Sequence, residues 1–296
     1  TTGYTKATMN SGKVRNRGIE LQLDGTPVKT KNFTWNSTFT WAKNYNKVLS
    51  LAAGLTDGQT IAYTGGTNCA LIAKVGGSIG DIYGYKLKRA PDGQVVWKDG
   101  ITARTTEFEY VGNAYPAWKA GFSNEFSYKN FRVSILFDGQ WGGIVYSQTH
   151  HKMTEHGTLK HTLKYRENPN FEVVGEGVML DERGQYVPNN VPISVSKYYA
   201  DYWRRANVET NSFDASFLKL REARIEYTIP SAGLNKIGIE RLTLALYGRN
   251  LAMWTKDFPV YDPEVATLNN GTIVPGSEMG QLPSTRTMGF NLTLKF

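Results

Sequence analysis

Four histidines, His150, His151, His156 and His161, fall within twelve residues of this 296-residue chain. Imidazoles at such spacing raise metal binding first. Only Glu155 lies close by, however, and no carboxylate completes a recognised ligand motif, so no metal site is expected. The segment reads instead as a solvated loop with a possible short helix. The densest aromatic and basic run is Tyr198-Tyr199-Ala200-Asp201-Tyr202-Trp203-Arg204-Arg205. Rings of this kind stack on sugars or grip peptide backbones, and guanidinium groups supply forked donors. The same rings could simply pack a long loop onto itself, and that reading carries more weight. Trp141 and Tyr146, flanking Gly142 and Gly143, are comparable candidates for substrate contact. Asp262-Pro263-Glu264 could offer oxygen ligands but reads more simply as a turn. Gly65-Gly66 and Gly76-Gly77 also read as turns, because no Lys-Ser/Thr follows them into a helix. No nucleophile elbow or His-Glu-x-x-His pattern occurs. The single cysteine, Cys69, excludes an internal disulfide and fits no metal spacing. No enzyme and no cofactor are expected.

The elements that carry these residues show a period of two, the mark of strands with one apolar and one polar face. At the chain end Met288, Phe290, Leu292, Leu294 and Phe296 alternate with Gly289, Asn291, Thr293 and Lys295. Similar segments lie near 15–24, 33–42, 119–128, 131–139, 213–229 and 240–250, which with 286–296 makes seven strands. Within 213–229 the frame changes. Leu218 and Leu220 share one face, whereas Ala223, Ile225 and Tyr227 share the other, so a bulge is expected between them. The connections are alternately short and long. Gly25 to Asn32, Lys129-Asn130 and Pro230 to Ile239 are short, whereas 43–118, 139–212 and 251–284 are long.

Short turns at one end and long loops at the other are the pattern of an outer-membrane barrel. No stretch reaches the ~18–20 consecutive apolar residues of a membrane helix. A terminal strand of about ten residues is long enough to cross a bilayer at a tilt. Trp35, Trp41, Tyr128, Phe131 and Phe296 are placed to anchor strands at the membrane boundary. Glu20, Gln22, Asp24, Asn36, Glu125, Arg132 and Asp138 cannot face lipid cheaply, and must line a wet lumen or a plug. The net charge of +8 is scattered rather than clustered, so nucleic acid is not an expected partner. Seven strands do not close a bacterial barrel, whose strand number is even. The chain, which opens Thr-Thr-Gly-Tyr without a secretory leader, therefore reads as the C-terminal part of something larger.

Several stretches resemble SusC/RagA-type TonB-dependent outer-membrane transporters of Bacteroidetes. They are Asn16-Arg-Gly-Ile-Glu-Leu, Gly80-Asp-Ile-Tyr-Gly-Tyr, Val111-Gly-Asn-Ala-Tyr-Pro-Ala-Trp and Phe122-Ser-Asn-Glu-Phe-Ser-Tyr-Lys-Asn-Phe. Further along come Ser216-Phe-Leu-Lys-Leu-Arg, Gly248-Arg-Asn-Leu, Tyr261-Asp-Pro-Glu and Gly289-Phe-Asn-Leu-Thr-Leu-Lys-Phe. Each is weak alone, and their order across residues 10 to 296 gives them force. The resemblance implies an all-β fold: about seven transmembrane strands of an antiparallel, roughly 22-stranded outer-membrane barrel with long extracellular loops. It implies that the plug domain, the earlier strands and the TonB-contacting part lie outside this sequence. It further implies import of glycans or peptides, energised by TonB, beneath a SusD-like surface lipoprotein, in the bacterial cell outer membrane. The acidic, Asn- and Gly-rich stretch that many members carry after the Tyr-Gly-Tyr motif is short here, with only Asp92-Gly93 and Asp99-Gly100, which puts a calcium loop in doubt. Two other readings remain open: a passive porin or surface adhesin on a similar barrel, and a soluble carbohydrate-binding β-protein. The soluble reading requires the apolar strand faces to pack against each other in a dry core.

Overall fold

The computed structural model describes residues 12–52, 58–64, 66–230, 234, 237–269 and 272–296; Gly65, read above as part of a turn, lies outside them. Seven strands form one continuous antiparallel sheet: β1 (Gly12–Lys29), β2 (Phe33–Leu51), β3 (Trp118–Tyr128), β4 (Phe131–Trp141), β5 (Phe217–Ile229), β6 (Arg241–Thr255) and β7 (Thr287–Lys295). Each pairs with its sequence neighbour in this order, so the sheet is a simple up-and-down wall. The longest strand, β2, has 19 residues. At ~3.3 Å per residue it spans roughly 60 Å, well beyond a bilayer's hydrocarbon core.

The register carries the alternation across the whole wall. One apolar row runs Trp35, Phe126, Val133, Ile225, Leu246, Phe290, each directly opposite the next. A parallel row runs Leu21, Trp41, Ala120, Gly139, Leu218, Trp254. Nothing among the described residues covers this face: Ile225 is 54% exposed, Leu246 67% and Phe290 80%. An apolar surface of this extent is incompatible with a soluble monomer. The dry core required by the soluble reading is therefore not what the sheet builds. Asn124, a polar residue on the apolar face, is buried there and accepts a 2.9 Å hydrogen bond from the Trp35 indole.

The frame change in β5 has a structural cause. The register with β6 shifts between Leu220 and Glu222, leaving Arg221 as the extra residue. Above the bulge Lys219 faces the polar side, below it Glu222 and Arg224 do, and Arg221 joins them. The stretch expected as one strand over 213–229 is in fact divided. Ser212–Asp214 pairs with Ile144–Ser147 instead, and β5 begins at Phe217.

At one end the wall closes in tight turns. Lys129 adopts φ 50° in the two-residue link from β3 to β4. Its N–H donates to Asn32 O at 2.9 Å, and Thr228 N donates to Asn130 O at 2.9 Å, so the turns are laced side by side. At the other end the long connections are not open loops. Among the described residues they fold into short sheets, short 3-10 turns and two α-helices, α1 (Gln148–Glu155) and α2 (Val195–Tyr202). One apolar core takes Cys69, Leu71 and Ile82 from the first connection, Tyr146 and Val208 from the second, and Val274 from the third. Three excursions that are far apart in sequence thus form a single cap on the wall.

Candidate functional site

The polar face of the wall and the underside of the cap meet in a trough. Across the wall one polar row reads Glu20, Ala42, Lys119, Gln140, Phe217; the next reads Gln22, Thr40, Gly121, Asp138, Lys219. Small side chains at Ala42 and Gly121 open space between longer ones. Two adjoining cavities of about 630 and 460 Å³ share Glu20, Ala42 and Lys119 in their linings. The first continues upward to Asn16, Asn44, Asn46, Ser78, Asn113 and Tyr115; the second ends against Glu264 of the cap. Glu20 and Lys119 stand two strands apart, roughly 10 Å at ordinary strand spacing. Neither side chain makes a hydrogen bond or ion pair among the described residues. The upper wall is ordered by amides: Asn44 and Asn46 donate to Asn16 Oδ1 at 3.3 and 2.8 Å, and Asn46 Oδ1 accepts from Ser78 Oγ and Ile79 N.

Where the trough meets the cap, charges from three segments form a knot. Lys219, 1% exposed, donates to both Asp262 oxygens at 2.8 and 2.9 Å and to Glu264 at 2.7 Å. Arg221 grips Glu264 through two contacts of 2.8 and 2.6 Å and also holds Asp138. Ser284 donates to Asp262 at 2.5 Å. Burial works to raise the Asp262 carboxyl, but the Lys219 and Ser284 hydrogen bonds win and hold it below the usual carboxylate range. Glu264 is lowered likewise: burial opposes, and the Arg221 and Lys219 hydrogen bonds prevail. The Asp262-Pro263-Glu264 turn thus straps the third connection onto the wall. The sequence showed the turn and, separately, charges on the polar faces; their meeting was not visible.

The aromatic run on α2 builds the interior of the cap. Trp97 from the first connection stacks on Tyr198 and Tyr202 with centroids 6.1 Å away in each case, and Tyr199 stacks on Trp203 at 5.5 Å. Tyr198 and Tyr199 are buried, and Tyr199 OH donates to His161 O at 2.8 Å. Tyr146 is fully buried, with its hydroxyl donating to Arg205 O at 3.2 Å. These three tyrosines are closed to a ligand, because the cap needs their rings for its core. Arg204 is turned inward onto Asp201 and Thr102 O. Arg205 is exposed, and its guanidinium has no hydrogen-bond partner among the described residues. Trp141 is half exposed, but it sits on the apolar face beside Trp118, not over the trough.

The histidine segment also differs from its reading as solvated. Ser147 caps α1 by accepting from His150 N at 3.0 Å. His150 and His151 are buried; Asn211 pairs with His150 Nδ1 at 2.9 Å and Trp203 O with His151 Nδ1 at 2.8 Å. The His150 and His161 rings stack at 5.3 Å. Burial lowers the His150 imidazole from 6.5 to about 4, against the pull of the Asn211 hydrogen bond, and neighbouring His161 and His151 push it the same way. His156 is exposed at the end of α1. No group of three or more metal-ligating side chains converges among the described residues.

Of the boundary residues, Tyr128 and Phe131 are exposed at the short-turn end, where Phe131 packs on Tyr227 at 4.5 Å. Trp35 is half-buried against Phe126. Trp41 lies further along the same face, and Phe296 is 78% exposed just past β7.

No family model matches the chain. Among curated proteins, TonB-dependent receptor P26 of Formosa agariphila is 29% identical over all of this chain and 30% of its own length. TonB-dependent receptor P3 of the same organism is 24% identical over 99% of this chain and 30% of its own. TonB-dependent receptor SusC of Bacteroides thetaiotaomicron is 26% identical over 47% of this chain and 15% of its own. The chain therefore spans about 30% of the length of the first two relatives. Among solved structures, the RagAB peptide transporter superposes with a TM-score of 0.65 at 19% identity, covering all of this chain and 31% of that one. That likeness concerns the fold, a portion of a large barrel wall. Along its whole length the chain is thus similar to TonB-dependent receptors, and its wall has the fold of a portion of such a barrel.

Proposed function

We propose that this segment forms part of the wall and outer vestibule of an active importer in the bacterial outer membrane. The observation that carries this reading is the two-faced wall: a continuous exposed apolar face, an opposite face of paired and unpaired charges, and every long connection gathered in a cap at one end. In this reading the apolar face meets lipid, and Trp35, Trp41, Tyr128, Phe131 and Phe296 mark its boundaries. The polar face looks into the lumen, where Glu20 and Lys119 meet the plug or the passing cargo. The cargo is a glycan or a peptide, TonB supplies the energy through the rest of the receptor, and a SusD-like lipoprotein closes over the cap. Arg205, exposed and with no partner for its guanidinium among the described residues, is the residue of the α2 run best placed to touch cargo or partner. The residues of this segment do no covalent chemistry; they hold, admit and release.

The test is to isolate the full-length receptor from outer membranes in detergent and identify what accompanies it. Co-isolation of a surface lipoprotein, and cargo uptake that stops when the proton-motive force is collapsed, are the expected results. Uptake that persists without the proton-motive force would leave a passive porin. A cooperative monomer of this segment stable without detergent would sink the membrane reading altogether.

A further inference from the structure

On the apolar face, beneath the cap, the wall has a pit of about 450 Å³. Its floor is Ala120 directly opposite Gly139 on the neighbouring strand. Gly139 has no room for a side chain, because a Cβ there would stand 2.5 Å from Phe217 O. Trp118, Trp141 and Trp254 stand around the floor. Trp118 and Trp141 are opposite one another and stack at 6.4 Å. Elsewhere, the Trp35 indole donates to Asn124 and the Trp97 indole to Glu176 O. The three indole N–H groups at the pit have no acceptor among the described residues. Lys256 lies at the lip, half exposed, with its ammonium 5.3 Å from the Trp141 ring and 2.6 Å from Asp214. An ammonium has three donors, and Asp214 accounts for one.

We propose that this pit holds one acyl chain of a phosphate-bearing membrane lipid, with the indole N–H groups meeting its ester oxygens and Lys256 its phosphate. The inference rests on the reading that the apolar face meets lipid. Three features favour this occupant over a partner protein. The pit is apolar at its floor and turns to unpartnered donors only at its rim. Trp118 opens β3, and Trp141 and Trp254 lie at the far ends of β4 and β6, so all three stand at the cap end of the wall, and tryptophans are what the boundary between acyl chains and headgroups selects. The cation stands on the side of the cap, where a headgroup would emerge.

The test titrates the delipidated full-length receptor in detergent with dimyristoyl phosphatidylglycerol and counts bound lipid by native mass spectrometry. Dimyristoylglycerol serves as the phosphate-free control. Wild type should retain one phosphatidylglycerol ahead of all others. Ala120→Phe, which fills the pit, and Lys256→Gln, which removes the cation, should each weaken that binding about tenfold, or ~1.4 kcal/mol. Heat-modifiable electrophoretic mobility checks that Ala120→Phe is folded, and Lys256→Gln, at an exposed site, supplies a second arm. Undiminished binding in both variants, or equal retention of the two lipids, overturns the proposal. Vesicles of brominated phosphatidylglycerol separate it from the reading beneath it. No quenching of receptor tryptophans would show that the face does not meet acyl chains, and both ideas fall. Quenching together with undiminished binding in both variants removes only the pit.

Discussion

Replacing Lys219 with Met should loosen the strap of the third connection without unfolding the wall. The side chains are of similar length, so the loss is chiefly charge and hydrogen bonds. In the native knot two cations serve three carboxylates, and the substitution leaves Asp138, Asp262 and Glu264 to Arg221 alone. Asp262 would keep Ser284 and the Glu264 N–H as donors but lose both contacts to the ammonium. Removing one member of a buried ion pair costs about 3–5 kcal/mol. Glu264 is 44% exposed and can be rehydrated, so the lower end, about 3 kcal/mol, applies. That corresponds to a rise of roughly a hundredfold in the open population of the strap. Hydrogen exchange on the full-length receptor would read it at the amides of Lys256, Glu264 and Val265, which are bonded to Ser216 O and to Asp262. The turn-end amides of Lys129 and Thr228 serve as the internal control. Acidity provides the second axis. Folding holds the Asp262 and Glu264 carboxyls below their ordinary values, so their contribution is complete above the unfolded pKa and lost as pH falls through the folded one. The gap between Lys219→Met and wild type should therefore narrow in acid. A change below about threefold at neutral pH, or a gap that does not narrow, refutes the knot as the fastening of the strap.

Three further outcomes follow from buried polar groups. The folded cap lowers His150 from 6.5 to about 4, so its contribution is full above pH 6.5 and is lost as pH falls toward 4. Roughly 3 kcal/mol is at stake, and exchange across α1 should speed up more over that window in wild type than in His150→Gln, which keeps His151 and His161, likewise lowered by burial. Trp35→Phe should cost about 1–3 kcal/mol by leaving the Asn124 amide unsatisfied on the apolar face. Adding Asn124→Leu should recover most of that loss in urea unfolding from lipid vesicles; a double variant no better than the single would show that the bond is not the cause. Glu278, fully buried, accepts from Ser147 and Tyr261 at 2.6 and 3.0 Å and from Thr149 at 2.5 Å, joining the second connection to the third. Glu278→Ala should cost roughly 1–3 kcal/mol of local stability and expose residues 251–284 to limited proteolysis while the wall stays resistant.

The wall was legible because the information that builds it is local. Alternation of Phe39 with Thr40, or of Phe290 with Asn291, fixes which face each side chain takes before any partner strand is known. Even the bulge at Arg221 announces itself as a change of frame between Leu220 and Ala223. The cap was not legible, for the opposite reason. Its strands run two to six residues, too short for a period to declare itself, and its core joins Cys69 to Tyr146 and Val274. The histidines read as solvated because their partners, Asn211 and Trp203, lie 61 and 52 residues away. The run at Tyr198 read as two things at once for the same reason. A ring that stacks on a sugar and a ring that stacks on Trp97 are the same residue in sequence, and only the topology decides between them.

The division between wall and cap also explains where function has room to vary. In the proposed importer the wall's two faces are constrained at every position by the media they meet, lipid on one side and water on the other. The cap is constrained chiefly at its core and at two fastenings, the Lys219 knot and the Glu278 hub. Between those fastenings the chain can change its exposed residues at little cost in stability, as at Arg205 or the Leu268 and Ile273 pair. If the segment serves the importer proposed above, what that importer recognises can change by substitution of cap surface while the wall and its charge knot stay fixed. Exchanging the exposed cap residues with those of a related receptor should therefore move specificity, whereas exchanging Lys219, Asp262 or Glu264 one at a time should impair every cargo alike.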